Sequence, residues 1–293
     1  MTTNFHQLWP ILRQTFFAWN LHDAPRLGAA LAFYTILSMA PLMILVVALV
    51  AVFFGQSLAQ DQILGEVRNL IGQAGADAVK TTIEHAREPA SGFFATAVGV
   101  ITLFFGASGV FIELRSALNT IWEVKPVDTG GLMSLIKDRF FSFGMVLAIG
   151  FLLLVSLLLS AALAAAGLYF GDLLPMPEGV LSLLNFLVSF AAIAVLFALI
   201  FRYVPDKTIA WREVRLGAVA TAFLFTVGKA LIGLYLGKAS VGSAYGAAGS
   251  LIVVIVWVYY SSQIFFFGAE FTHQLAKRQS PPRITTSSTN REY

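Results

Sequence analysis

The chain has 293 residues, of which 58% are hydrophobic and only 12% charged, with a net charge of +3 and a mean hydropathy of +0.79. These values exclude an ordinary soluble domain, in which about a quarter of residues are charged, and make lipid the main solvent. The absence of cysteine removes disulfides, thiolate metal sites and cysteine nucleophiles.

Residues 1–26 predict a cytoplasmic amphipathic segment. Phe5, Leu8, Trp9, Leu12, Phe16 and Trp19 recur at helical spacing and form one stripe, suited equally to the membrane interface or to packing beneath a bundle. Residues 27–270 then carry six long apolar runs, at about 27–54, 93–112, 140–170, 180–201, 216–236 and 245–267. A hydrocarbon core of about 30 Å needs roughly 20 helical residues to cross. The runs are apolar on every side, as lipid-embedded helices allow and alternating barrel strands do not. The predicted fold is therefore all-α, a six-span transmembrane bundle. Pro41 interrupts the first span, where it removes one ladder hydrogen bond and predicts a kink.

Between the first two spans, residues 55–92 are long for a bundle connection. Leu64, Val67, Leu70, Ile71, Ala74, Ala78 and Ile83 lie at helical spacing with charges between them, which predicts a helical outer cap over the end of the bundle. Residues 271–293 end in a Ser/Thr-rich stretch and read as a disordered cytoplasmic tail.

Lys and Arg fix the expected orientation. Fourteen fall in the N-terminal segment, the second and fourth loops and the tail, against four in the other loops. The richer side is assigned to the cytoplasm, which places both termini there in a bacterial inner membrane.

Within the spans, small residues mark close helix approach where no hydrophobic force draws helices together in lipid. Gly99, Gly106 and Gly109 do so in the second span, and Gly242, Gly246 and Gly249 at the start of the sixth. Ionisable and polar groups at membrane depth are the best functional leads. Lys229 is the deepest, and either snorkels to the outer headgroups or lines a polar cavity. Tyr34, Ser38, Asn185 and Gln263 either line the same path or make interhelical hydrogen bonds. At the cytoplasmic edge Glu113, Arg115, Asn119, Arg202 and Glu270 form a candidate polar cluster, with Arg115 or Arg202 available to pair with Glu270. The four histidines, His6, His22, His85 and His273, are scattered and show no metal-ligand spacing. No metal, catalytic group or cofactor is expected. No Gly-rich nucleotide loop is present in the sequence.

Three stretches taken in order carry a resemblance. They are Gly28-Ala-Ala-Leu-Ala-Phe-Tyr34 through Ser38 to Pro41; Gly106-Ala-Ser-Gly109 followed by Ala117-Leu-Asn119-Thr-Ile-Trp122; and Tyr245-Gly246-Ala-Ala-Gly249 leading to Trp257-Val-Tyr259 and Gly268-Ala-Glu270. Arg202-Tyr-Val-Pro205, Trp211 and Gly217-Ala218 fit between them. Over roughly residues 10–275 the chain resembles the YihY/virulence factor BrkB family. That resemblance implies a six-span inner-membrane protein associated with virulence and serum resistance, with an older ribonuclease BN label that the residues do not support.

The favoured function is translocation of a lipid or an amphipathic or anionic solute. The alternative is a noncatalytic envelope scaffold or virulence factor that binds a partner, and a membrane-associated hydrolase comes last. Expected partners are membrane lipids, with an envelope protein or a second copy of the chain as further candidates, and no nucleic acid.

Overall fold

The structure is a computed structural model that describes residues 8–86, 108–124, 140, 144, 178–238 and 248–279. Its helices are α1 (Leu8–Leu21), α2 (Ala24–Phe54), α3 (Gln56–Ala86), α4 (108–121), α5 (Glu178–Tyr203), α6 (Trp211–Lys238) and α7 (Gly249–Gln279). No strand occurs among the described residues. Within them, stretches of α5, α6 and α7 are long and apolar enough to cross a membrane. Most of the second predicted span and nearly all of the third lie outside the described residues, as does the tail beyond Gln279.

Local chemistry sets the helix ends. Asp23 takes a left-handed backbone conformation (φ 52°), and α2 begins immediately after it with a proline in its first turn, where the missing N–H costs nothing. At the other end Gly55 (φ 76°) stops the helix, its N–H donating to the Ala51 carbonyl at 2.9 Å. Between these points α2 runs as one helix through Pro41.

The main core sits at one end of the bundle. There the start of α2 (Ala24, Leu27), the end of α4 (Leu118, Ile121, Trp122), the end of α5 (Phe197, Phe201), the first half of α6 (Val214, Ala218, Ala222) and the last turns of α7 (Phe266, Ala269, Ala276) pack together. In lipid such packing gains through dense van der Waals contact rather than release from water. Leu183, Phe186 and Leu187 on α5, with Leu224, Leu231 and Leu234 on α6, stay exposed, as a lipid-facing surface requires.

Helices α6 and α7 meet through two matching glycine-threonine steps. Thr221 donates its hydroxyl to the Gly217 carbonyl and Thr272 donates to the Gly268 carbonyl, each at 2.7 Å. Each threonine lies on the other helix's glycine: a Cβ at Gly217 would stand 2.6 Å from Thr272 Cβ, and one at Gly268 would stand 2.8 Å from Thr221 Cβ. The back-bonded hydroxyls are satisfied within their own helices, so neither threonine is orphaned in the apolar interior.

Helix α3 is a helical hairpin broken at Gly72, whose backbone (φ 81°, ψ −178°) lies outside helical space and in a region that favours glycine. Pairing of the two limbs follows from their contacts. Ile63 of the first limb clusters with Val79 and Ile83 of the second, while Val67 packs on Ala78 and Val254. The same clusters include Ile36, Met39, Met43, Val47 and Ala51 of α2. At 1.5 Å per residue, α3 thus lies along about 22 Å of α2. The segment expected as a cap over the bundle's end is helical, but it runs down the side of α2 and against α7.

Candidate functional site

Two polar regions stand out, one at the tightly packed end and one on the α3 hairpin. At the packed end, the turn between α1 and α2 presents His22 to Glu270 of α7. The Glu270 side chain is 0% exposed, and its Oε1 lies 2.5 Å from His22 Nδ1. His22 is 14% exposed, and its Nε2 lies 3.9 Å from Glu123 Oε1. Glu123 follows Trp122 directly and adopts φ 52°, a turn that carries the carboxylate out of the core its neighbour fills. Lys277 Nζ donates to Glu123 Oε1 at 2.7 Å. That hydrogen bond, reinforced by the lysine's charge, outweighs partial desolvation and holds Glu123 below its ordinary carboxylate pKa.

His273 lies three residues beyond Glu270, buried, with its ring 4.9 Å from that of Trp122. Glu270 Oε2 and His273 Nδ1 are both buried with no hydrogen-bond partner among the described residues. Two orphaned titratable atoms within a turn of one helix are uncommon, since an unmade buried hydrogen bond costs about 1–3 kcal/mol.

A second polar group lies on the connection between α5 and α6. Asp206 receives Arg115 Nε at 3.0 Å and Asn119 Nδ2 at 2.7 Å, and its own N–H donates to Asn119 Oδ1 at 2.8 Å. Burial pushes the Asp206 carboxyl upward, but the Arg115 and Asn119 hydrogen bonds and the arginine's charge prevail and leave it lowered. Arg202 donates from Nη1 to the Ile209 carbonyl at 2.7 Å and lies 4.8 Å over the Trp211 ring. Glu113, on α4, feels the charge of Arg26. The five residues expected as one cluster are thus divided: Arg115 and Asn119 gather on Asp206, Arg202 braces the next connection, and Glu270 takes His22 as its partner.

The candidate cavity residues are also dispersed. Ser38 is buried and, with Tyr34, faces Gly109 of α4 at contact distance. Gln263 packs over Gly28, where a Cβ would overlap its amide, and lines an apolar groove of about 400 Å³ with Phe16, Trp19, Gly228 and Tyr260. Lys229 is half-buried on α6 and makes no hydrogen bond or ion pair with the described residues. Ala222, two turns before it, is sealed in the core, and Phe225 packs against the same core. The face of α6 leading to Lys229 is therefore filled with side chains. Gly249 opens α7 and is buried. The Pro41 and Asn185 side chains, and Gly99, Gly106, Gly242 and Gly246, lie outside what the structure describes.

The second limb of α3 carries the polar face that residue spacing alone did not locate. Gln73, Asp77, Lys80, Thr81 and Glu84 are exposed, opposite the buried Ala76, Ala78, Val79 and Ile83. Gln73 donates to Asp77 Oδ1 at 2.8 Å, and Lys80 lies 3.8 Å from Glu84. Ala78, on this limb, is level with Ile36 and Met39 of α2. Those residues stand about 14–18 Å along α2 from Leu27, where the first apolar run begins.

Comparison with known proteins places these features in a lineage. The family model described as "Virulence factor BrkB" matches residues 15–292. A "UPF0761 membrane protein" of Pseudomonas aeruginosa (strain LESB58) is 29% identical over 272 residues, covering 89% of this chain and 62% of the relative. A protein of the same name from Teredinibacter turnerae is 26% identical over 94% of this chain and 62% of its own length. One from Verminephrobacter eiseniae is 30% identical over 85% and 58%. The chain therefore spans about three fifths of the length of these relatives. No solved structure matches.

Proposed function

The chain belongs to the virulence factor BrkB family of membrane proteins, and we propose that it translocates a lipid or another amphipathic, anionic-headed solute. We place it as a six-span protein of a bacterial inner membrane with both termini in the cytoplasm. The observation that carries this function is the α3 hairpin, whose second limb exposes Gln73, Asp77, Lys80 and Glu84 beside the middle of α2. Charged side chains at that depth do not face acyl chains; they line water or meet a polar partner. Broken helices at membrane depth are tolerated where they border a cavity. A limb bearing both signs of charge, on a hairpin that also touches α6 with its exposed apolar side chains, provides for a polar head and an apolar tail together.

The cysteine-free background makes the test direct. Single cysteines at Gln73, Asp77 and Lys80 should react in intact cells with a membrane-impermeant thiol reagent, while cysteines at Ala222 and Phe225 stay protected. Protection at all three hairpin sites would overturn the translocation pathway and favour an envelope scaffold whose hairpin is covered by a partner. A topology reporter fused after Tyr293 should behave as cytoplasmic, and a periplasmic signal would remove the six-span arrangement.

A further inference from the structure

Glu270 is unusual in the company it keeps. The groups around it are His22 from the α1–α2 turn, Glu123 from the end of α4, and His273 and Lys277 from α7 itself. Lys207, from the connection after α5, bears electrostatically on His273 and donates to the Trp122 carbonyl at 3.3 Å. Glu270 is wholly buried, His22 is 14% exposed and Glu123 is 52% exposed, so the three form a graded line from interior to surface. A structural pair would need only the first contact. It would not need a histidine whose second nitrogen points toward a surface carboxylate, nor a second carboxyl oxygen left orphaned inside.

We propose that Glu270, His22 and Glu123 form a proton-binding site and relay that connects the bundle interior with the surface at the packed end. A hydronium ion at Glu123 gives its proton to His22 Nε2, directly or through one bridging water across the 3.9 Å gap, and becomes water. His22 passes its Nδ1 proton to Glu270 Oε1, and the imidazole returns to neutrality as the other tautomer. The carboxylate becomes a carboxylic acid able to donate a hydrogen bond, and the reverse sequence releases the proton. His273, three residues on from Glu270, is likewise buried and orphaned at Nδ1. Use of this proton to drive solute movement rests on the translocation proposed above, whereas its binding does not.

The test is infrared difference spectroscopy of the full chain, labelled with isotopic glutamate and held in lipid nanodiscs, titrated from about pH 5 to 8. A protonated-carboxyl band should grow as the pH falls, be missing in Glu270→Gln, and move its midpoint by about one pH unit or more in His22→Gln, a tenfold change in proton affinity. His22→Gln also assigns the band should Glu270→Gln fail to fold. Glu123→Gln should leave the band in place and slow its appearance after a pH jump. A wild-type carboxyl signal that does not change across this range, or a band indifferent to both Glu270→Gln and His22→Gln, overturns the relay. Because no solute is used, loss of the relay would leave the thiol-accessibility result standing, and the reverse holds too.

Discussion

Replacing Gly217 with alanine should destabilise the bundle, although alanine is the better helix former. The added Cβ would stand 2.6 Å from Thr272 Cβ and 2.8 Å from Thr272 Cγ2. Rotating the threonine cannot relieve the first contact, because a Cβ moves only with its backbone. Rotation would also break the Thr272 hydroxyl bond to the Gly268 carbonyl. Overpacking of this type costs about 1–3 kcal/mol, against about 1 kcal/mol gained from helix propensity. Gly233, four turns along the same helix, has nothing within 4 Å of its Cβ position, so Gly233→Ala keeps the gain without the cost. The two variants should differ by about 1–3 kcal/mol, which is roughly fivefold to 150-fold in the folding equilibrium. Reversible unfolding in bicelles under steric trapping measures this difference, with Gly233→Ala as the internal control. Equal shifts for the two variants would refute the glycine-threonine crossing of α6 and α7.

Trp122→Ala should cost about 3–5 kcal/mol and lower folded yield, because the ring is 1% exposed and stands at the junction of α4, α5, α6 and α7; near-normal yield in a fluorescence size-exclusion assay would contradict that packing. The Asp206 carboxyl is lowered in the fold, so its stabilising contribution should be complete at neutral pH and fade as the pH falls below its ordinary value of 3.8 toward the lowered one. With Asp206 43% exposed, the effect is small, about 0.5–1 kcal/mol after solvent screening, and Asp206→Asn should abolish the corresponding acid sensitivity in thermal unfolding scans.

Much of the helical scaffold was legible because lipid imposes a one-dimensional rule: an apolar run of sufficient length with at most one charge becomes a helix. The runs underlying α2, α5, α6 and α7 follow that rule. Helix α3 was legible only in part. Its apolar spacing gave helix, yet the segment holds three glycines, Gly65, Gly72 and Gly75, and nothing in the spacing singles out Gly72 as the break; residence beside α2 depends on contacts with residues nearly 180 positions away, such as Val254. The polar site was less legible still. Arg115 and Arg202 are the stronger charges and were natural partners for Glu270, but His22 reaches it from 248 residues away through a turn set by the backbone of Asp23. Gly217 and Gly268 were present in the family signature, while their reciprocal threonines, Thr272 and Thr221, emerge only when the two helices are laid together.

The α3 hairpin also bears on how the protein is made. Between Gln56 and Ala86 it carries Asp61, Glu66, Arg68, Asp77, Lys80 and Glu84, and each would cost about 2.5–3.5 kcal/mol at the centre of an inserting helix. Such a segment cannot partition into the bilayer by itself as it leaves the insertion machinery. One wall of its berth is α7, synthesised more than 160 residues later. With the hairpin at the proposed membrane depth, biogenesis must hold it outside the hydrocarbon until the last helix arrives, and a nascent chain stopped before α7 would leave it there.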